Sequence, residues 1–197
     1  MKGPVVHGPP VLSRVLLIGQ APGPHEGALG RPFAWTAGRT LFRWFETVCG
    51  LSEGAFRAGI YMAAVARCFP GKTKDGSDRR PDPAEIGACE RFLVEEVKVL
   101  EPRLVLAVGA LAIARVLHPE GGKEANQMKL HHVVGTARRA TYHGAVVDVI
   151  ALPHPSGAST WTKTEPGKTL LFKALELVAA HPEIRALPGY GEGGGGA

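Results

Sequence analysis

The sequence predicts one α/β domain, a three-layer α/β/α sandwich around a central, mainly parallel sheet. Short apolar runs at residues 11–18, 59–66 and 103–108 are typical of strands that are buried on both faces. Stretches with helical spacing of apolar residues alternate with these runs, which favours a parallel sheet between helices. With 197 residues, 45% of them hydrophobic, the chain suits one core and is short for two full domains.

Apolar spacing and capping residues place the remaining elements. Helices are predicted at residues 36–48, 83–100, 110–117 and 167–180. Asp82 is the expected N-cap of the second helix, because Pro83 suits the first helical position. Residues 133–151 predict a β-hairpin that turns at His143-Gly144. Residues 1–10 are expected to be irregular, and residues 189–197 are expected to form a flexible Gly-rich tail. Residues 1–197 are interpreted as a single domain with these two ends.

Composition excludes several classes of protein. The net charge of +5 is compatible with a polyanionic partner and equally with a basic enzyme of another kind. No apolar run approaches the roughly 18 residues that span a bilayer, and the first residues lack a signal peptide, so we expect a cytoplasmic protein without a membrane partner. The three cysteines form no CxxC pair, which argues against a disulfide scaffold and a self-contained zinc site.

Three loops at predicted strand ends are candidates for chemistry. Residues 19–23 (GQAPG), Gly109-Ala110 and residues 154–156 (HPS) each follow a predicted strand. Ligands of open parallel sheets gather at the carboxyl ends of the strands, so these loops are expected to line one cleft. The alternative is that their Gly and Pro residues only turn the chain.

Four segments in order resemble the uracil-DNA glycosylase superfamily, from residue 14 to residue 177. They are residues 19–38 (GQAPGPHEGALGRPFAWTAG), 67–89 (RCFPG…DPAEIGAC), 102–117 (PRLVLAVGALAIARVL) and 152–157 (LPHPSG). The branch most similar to this chain is the thermostable iron–sulfur type, whose first motif reads GEAPG and continues to GRPF. The resemblance implies an enzyme that hydrolyses the bond between a base and its sugar in DNA.

The resemblance also implies roles for the residues around the base. A departing base carries negative charge, and a donor aimed at its oxygen stabilises that charge; the resemblance gives this role to His154. Phe33 resembles the aromatic on which an extruded base stacks. Gln20, Ala21 and Ala64 complete the implied base pocket. The alternatives are a histidine that only shapes a turn and a phenylalanine of the core.

DNA contacts are implied by the same motifs. Ser156, Gly157 and Gly109 are expected to bind phosphates beside the flipped nucleotide, although a serine in this position is also a common helix cap. Trp161 is a candidate wedge that fills the gap left by the base, or else a packed surface tryptophan. A charged loop adds candidate phosphate contacts, which also fit a solvated charge run: Lys72, Lys74, Arg79 and Arg80.

The chain departs from the iron–sulfur branch at its cysteines. That branch holds its cluster with four cysteines, two of them in an N-terminal CxxC. Cys68 and Cys89 match the later pair, but no CxxC precedes Arg14, and Cys49 lies in a predicted helix. A cluster needs four ligands, so we expect no cluster, no metal and no other cofactor.

Two further departures concern water and base recognition. Several branches have Asp or Asn where this chain has Ala21; Gln20, His25 and Glu26 remain alternatives for handling the water. Ala64 stands where many relatives have an Asn that pairs with the uracil edge. A pocket without that group discriminates less, so uracil, hypoxanthine and xanthine all stay open as substrates.

The sequence thus predicts a monomeric DNA glycosylase that acts on DNA with a damaged or deaminated base and initiates base excision repair. One alternative is a non-catalytic DNA-binding member of the same fold, which Ala21 and Ala64 favour. The intact LPHPSG motif favours the enzyme. A hydrolase of small nucleosides is the third reading, and it would need neither the basic loop nor Trp161.

Overall fold

A five-stranded sheet with strand order β2-β1-β3-β5-β4 forms the centre of the computed structural model, which describes residues 1–157 and 159–192 and, at Asn126, the backbone alone. The strands are β1 (Val15–Gly19), β2 (Tyr61–Ala64), β3 (Leu104–Val108), β4 (Ala137–Tyr142) and β5 (Ala145–Leu152). Only β4 is antiparallel to its neighbour. The predicted mainly parallel sheet and the β-hairpin are confirmed.

The eight α-helices and two 3-10 helices of the described residues surround this sheet. The α-helices are α1 (Glu26–Leu29), α2 (Thr36–Cys49), α3 (Glu53–Gly59), α4 (Pro83–Leu100), α5 (Ala110–Leu117), α6 (Lys123–Gln127), α7 (Gly167–Ala180) and α8 (Pro182–Arg185). The 3-10 helices are Leu130–His132 and Trp161–Lys163. Helices lie on both sides of the sheet, which confirms the three-layer sandwich.

Burial explains why the central strands are almost wholly apolar. Every residue of β1 and β3 is buried. Leu17 pairs with Leu106, and Leu106 pairs with Ile150 of β5, so one row of branched side chains crosses the middle of the sheet. Apolar side chains are favoured on both faces of such strands because helices cover them on both sides.

The start of α4 follows the capping chemistry that the sequence predicts. The Asp82 carboxylate accepts the N–H of Glu85 at 2.9 Å, and the Glu85 carboxylate accepts the N–H of Asp82 at 2.9 Å. This reciprocal arrangement satisfies two donors that a helix start otherwise leaves without partners. The Asp82 cap and the Pro83 start are confirmed.

Four predicted strands are shorter in the structure. β3 begins at Leu104 rather than at residue 103, and β4 begins at Ala137 rather than at residue 133, because a 3-10 helix and a turn precede it. β1 begins at Val15 rather than at residue 11, because Leu12 lies outside the core with 87% of its surface exposed. β2 covers Tyr61–Ala64 rather than residues 59–66, because Gly59 ends α3. The helices α1, α3, α6 and α8 were not predicted; each has at most seven residues, too few to show a helical period.

The ends of the described chain rest on the domain. The first ten residues are mainly irregular, with the N–H of Val6 donating to the Arg67 carbonyl at 2.8 Å. The predicted tail from residue 189 begins with hydrogen-bonded residues, since the N–H of Gly191 donates to the Cys49 carbonyl at 2.8 Å. Residues 193–197 lie outside the described part. Among the described helices, none is long and apolar enough to cross a membrane.

Candidate active site

A cleft of about 710 Å³ opens where the parallel strands end at their carboxyl termini. The three loops that the sequence singled out all reach it, as does the charged loop after β2. Seven predicted site residues line the cleft: Gln20, Ala21, Phe33, Ala64, Gly109, His154 and Ser156. The fold therefore brings together residues that are far apart in the sequence.

His154 lies just beyond β5, held by the turn that follows it. The backbone N–H of Ser156 donates to His154 Nδ1 at 3.2 Å. An N–H group can only donate, so in the neutral ring the proton lies on Nε2. Solvent reaches the ring through the cleft mouth, but the surrounding protein atoms lower the pKa of His154, an effect that Asp78 partly opposes. The structure thus favours a neutral imidazole whose Nε2–H has no acceptor among the described residues.

The Gly109 backbone brings the end of β3 close to the His154 ring. A side chain at Gly109 would place its Cβ 3.4 Å from Cδ2 of His154, and the residue has a φ of 87° that favours glycine. The N–H of Gly109 also donates to the carbonyl of Leu152 at 2.9 Å. These contacts fix the distance between two of the three predicted loops.

Phe33 forms part of the cleft wall in an uncommon backbone conformation. Its φ of 52° lies in the left-handed region, which a bulky residue rarely adopts. The Phe33 ring packs on Gly19, where a Cβ would lie 3.1 Å from the ring atom Cζ. A Cβ at Gly38 would lie 1.8 Å from the Phe33 carbonyl oxygen, so α2 approaches Phe33 closely because residue 38 has no side chain.

Glu26 joins the first loop to the Phe33 segment. The carboxylate is buried, with 8% of the residue exposed. Oε2 accepts the N–H of Gly23 at 2.8 Å, and Oε1 accepts the N–H of Ala34 at 3.0 Å. Burial raises the pKa of Glu26, while the hydrogen bonds from these backbone donors act in the opposite direction. Both carboxylate oxygens are thus engaged by the backbone.

The other two candidates for handling water also line the cleft. Gln20 follows β1 directly and is half-buried, and its backbone carbonyl accepts the N–H of Ala66 at 3.0 Å. The His25 ring packs against the indole of Trp35, with ring centres 4.5 Å apart. Trp35 is a cleft residue that sequence reasoning missed, although it directly follows the GRPFA segment.

The charged loop after β2 supplies part of the cleft wall. Of the four predicted basic residues, Lys72 and Arg79 line the cleft, whereas Lys74 and Arg80 do not. Arg79 donates to the Pro70 carbonyl and to Glu85, each at 2.6 Å, so its guanidinium braces the loop. Asp78 also lines the cleft and was not predicted as a site residue. It lies in the loop that follows a predicted strand and precedes a helix, and that position could have indicated the cleft.

Two predicted DNA contacts, Trp161 and Gly157, are not themselves part of the cleft lining. Trp161 is half-buried against the start of α7, where a Cβ at Gly167 would lie 2.7 Å from the indole atom Cδ2. Gly157 accepts a hydrogen bond from Lys163 Nζ at 3.3 Å through its carbonyl. In this position the indole packs on the protein, and its role as a wedge stays a prediction.

The cysteines do not form the ligand set of an iron–sulfur cluster. Burial, with the nearby Cys89 thiol, raises the pKa of Cys68. Burial alone raises the pKa of the Cys49 thiol to about 11. Within residues 1–157 and 159–192, no group of three or more His, Cys, Asp or Glu side chains is placed to hold a metal ion. Two neighbouring thiols are half of the four ligands that a cluster needs.

The fold and the cleft together define an α/β protein with a site at the carboxyl edge of its sheet. The sequence model of the Uracil DNA glycosylase superfamily matches residues 5–176, and the chain belongs to this superfamily. The resemblance inferred from the four sequence segments is confirmed.

Individual relatives are similar over part of their length. The chain is 29% identical over 142 residues to a type-4 uracil-DNA glycosylase of Pyrobaculum aerophilum, covering 72% of this chain and 66% of the relative. A type-4 enzyme of Thermotoga maritima is 30% identical over 102 residues, covering 52% and 48%. A type-5 uracil-DNA glycosylase of Thermus thermophilus is 33% identical over 115 residues, covering 53% and 50%. The chain thus spans about half to two thirds of the length of these relatives.

The close approach at Gly38 gives a stability prediction with a matched control. Gly38→Ala forces the Phe33 carbonyl away from α2, and we expect a loss of about 1–3 kcal/mol in the free energy of unfolding. Gly87→Ala on α4 meets no atom within 4 Å and should gain about 0.5–1 kcal/mol from the lower entropy of its unfolded chain. Urea denaturation measures the free energy of unfolding of both variants relative to the wild type. An equal change of this free energy in the same direction for both variants would contradict the close approach of α2 to Phe33.

Proposed function

We propose that this protein is a DNA glycosylase that hydrolyses the bond between a deaminated base, such as uracil, and its deoxyribose, and so initiates base excision repair. The observation that carries the proposal is the meeting in one cleft of His154, whose Nδ1 accepts a backbone N–H, and the aromatic wall of Phe33. Membership of the superfamily and the names of the relatives support the same activity.

The leaving base is stabilised by His154. The target nucleotide leaves the duplex, enters the cleft and stacks on the ring of Phe33. As the glycosidic bond breaks, its electron pair goes to the base, and the sugar gains oxocarbenium character. The Nε2–H of His154 donates a hydrogen bond to the base oxygen on which the charge develops. The Ser156 N–H bond to Nδ1 holds the ring in the required tautomer.

Water attack relies on Gln20 rather than on a carboxylate. The Glu26 oxygens are engaged by two backbone N–H groups, so that carboxylate serves the shape of the loop. The Gln20 amide lines the cleft and orients a water toward the sugar, although an amide takes no proton at neutral pH. The water's oxygen bonds to the sugar carbon and its proton passes to solvent. Leaving-group stabilisation therefore supplies most of the rate.

DNA is positioned by groups around the cleft mouth. The Ser156 hydroxyl and the backbone at Gly157 contact phosphates beside the flipped nucleotide, which sets the register without reading sequence. Gly109 donates its own N–H to Leu152, so its contribution is the close approach of a residue without a side chain. Lys72 adds a positive charge on the opposite loop. A monomeric, cytoplasmic enzyme without a cofactor remains the expectation from the sequence.

Base choice depends on the wall that Ala64 forms. Ala64 lines the cleft without a side-chain donor or acceptor, and Ala21 does the same on the first loop. Recognition of the base edge therefore falls to backbone atoms and to shape, which admits hypoxanthine or xanthine besides uracil. The same two alanines favour the second candidate, a DNA-binding member that performs no chemistry.

Single-turnover assays on duplexes with uracil, hypoxanthine or xanthine, beside an undamaged duplex and free deoxyuridine, test this function. We expect excision from a damaged duplex, and a fall of about two to three orders of magnitude in that rate for His154→Ala, because one anion-stabilising donor is lost. Duplex affinity should change little. Tight binding of a duplex without excision would instead show a DNA-binding protein that performs no chemistry. Turnover of deoxyuridine alone would indicate a nucleoside hydrolase.

The pH dependence follows from the lowered pKa of His154. Raising the pH above neutral leaves the ring neutral, so the ratio of the wild-type rate to the His154→Ala rate should be constant from about pH 7 to about pH 9. Acid charges the ring only below the ordinary histidine pKa of about 6.5, and the new Nδ1–H then opposes the Ser156 donor. A ratio that falls as the pH rises through neutrality would mean that the cationic ring is the active form.

A further inference from the structure

The peptide unit between Phe33 and Ala34 is held at both of its polar ends. The Phe33 carbonyl accepts Nη2 of Arg57 at 3.0 Å, and the Ala34 N–H donates to Glu26 at 3.0 Å. Nη1 of Arg57 also donates to the carbonyl of Pro32 at 2.9 Å. These bonds fix the peptide planes on either side of Phe33, and those planes set the direction of its ring.

Arg57 is itself fixed by its surroundings on α3. Its side chain is only 11% exposed, and Nε donates to Glu53 at 2.7 Å. The guanidinium carbon lies 4.5 Å from the centre of the Phe42 ring. All three kinds of guanidinium nitrogen therefore have a defined acceptor. A planar fork is required for this pattern, and a lysine ammonium cannot reproduce it.

Phe33 needs such support because its backbone conformation is unfavourable. A non-glycine residue in the left-handed region costs about 1–3 kcal/mol and persists only where its surroundings over-determine it. The carbonyl bonds from Arg57 and the amide bond to Glu26 provide that constraint. Without the fork, a return of Phe33 to a negative φ turns the ring away from Gly19 and out of the cleft wall.

We propose that Arg57 is a positioning residue for base stacking: it holds Phe33 in its left-handed conformation so that the ring is ready to receive the extruded base. This inference rests on the proposed function, in which Phe33 stacks on the base. Arg57 does not line the cleft and acts only through the two carbonyls that it binds. The ordered wall is thereby present before DNA binds, which avoids an entropy loss on binding.

Amide hydrogen exchange at Ala34, measured by NMR on the free protein, tests the positioning without any substrate. Arg57→Gln should increase the exchange rate of this amide by about tenfold or more, because the peptide unit is released at its carbonyl end. Arg57→Lys should give an intermediate rate. The matched control is Arg43→Gln, the same change on the exposed side of α2, which should leave Ala34 unaffected. Unchanged protection in Arg57→Gln would overturn the proposal.

A double-mutant cycle separates positioning from a merely structural role. Arg57→Gln should raise the enzyme concentration for half-maximal single-turnover excision by about tenfold, since part of the stacking energy is lost. In a Phe33→Ala background the same change should have no further effect, and Glu53→Gln should match the wild type because both carbonyl bonds remain. An Arg57 effect that persists without the Phe33 ring would refute the proposal.

The outcomes distinguish this inference from the proposed function. If the wild type excises no base but the Ala34 amide still exchanges faster in Arg57→Gln, the proposed function fails. The role of Arg57 in holding the Phe33 backbone is then still supported. A second outcome is that the wild type excises the base and Phe33→Ala weakens binding, while Arg57→Gln changes neither the exchange of the Ala34 amide nor the half-maximal enzyme concentration. In that case only the positioning role of Arg57 fails. Should Arg57→Gln not fold, Arg57→Lys carries both measurements, because it keeps the charge and loses the fork.

Discussion

Burial of the central strands on both faces determines where the chemistry of this molecule lies. β1 and β3 have no exposed residue, and their neighbours β2 and β5 run in the same direction. Parallel strands end at one edge of the sheet, so the loops that follow them meet there. His154 and Gln20, far apart in the sequence, share a cleft for this reason. The site depends on a core that contains none of its chemistry.

Backbone hydrogen bonds then give the cleft its shape. Glu26 holds the first loop against the Phe33 segment, Arg57 holds that segment against α3, and the Gly109 N–H ties β3 to β5. Three charged side chains, Glu26, Arg57 and Arg79, are thus used to fix the main chain around the cleft. The proposed mechanism assigns the chemistry to other residues, chiefly His154, the Phe33 ring and Gln20.

The sequence predicted the elements that have local signals. The apolar runs of β1 and β3 reflect burial on both faces, and the start of α4 is encoded within four residues by Asp82 and Glu85. The cleft residues His154 and Phe33 were found because they lie in motifs that resemble a known superfamily. For these positions, local pattern and resemblance were sufficient.

Residues whose importance arises from tertiary contacts could not be found in this way. Arg57 lies in an unpredicted helix of seven residues. It matters because it donates hydrogen bonds to two carbonyls that are far away in the chain. Asp78 looked like one charge in a mixed loop until the fold placed it on the cleft wall. Trp161 could not be assigned from the sequence, because an indole in a polar segment is compatible with two roles. One is a wedge, and the other is the packing on Gly167 that the structure shows.

The most direct test of the account is a crystal structure of the protein with a duplex that carries 2′-fluoro-2′-deoxyuridine, whose glycosidic bond resists cleavage. The proposed mechanism predicts that the extruded uracil stacks on the Phe33 ring and that one of its carbonyl oxygens accepts a hydrogen bond of about 3 Å from His154 Nε2. Phosphates beside the flipped nucleotide should contact Ser156. A uracil that lies in the cleft with His154 turned away from its oxygens, or with its ring away from Phe33, would contradict the proposed mechanism.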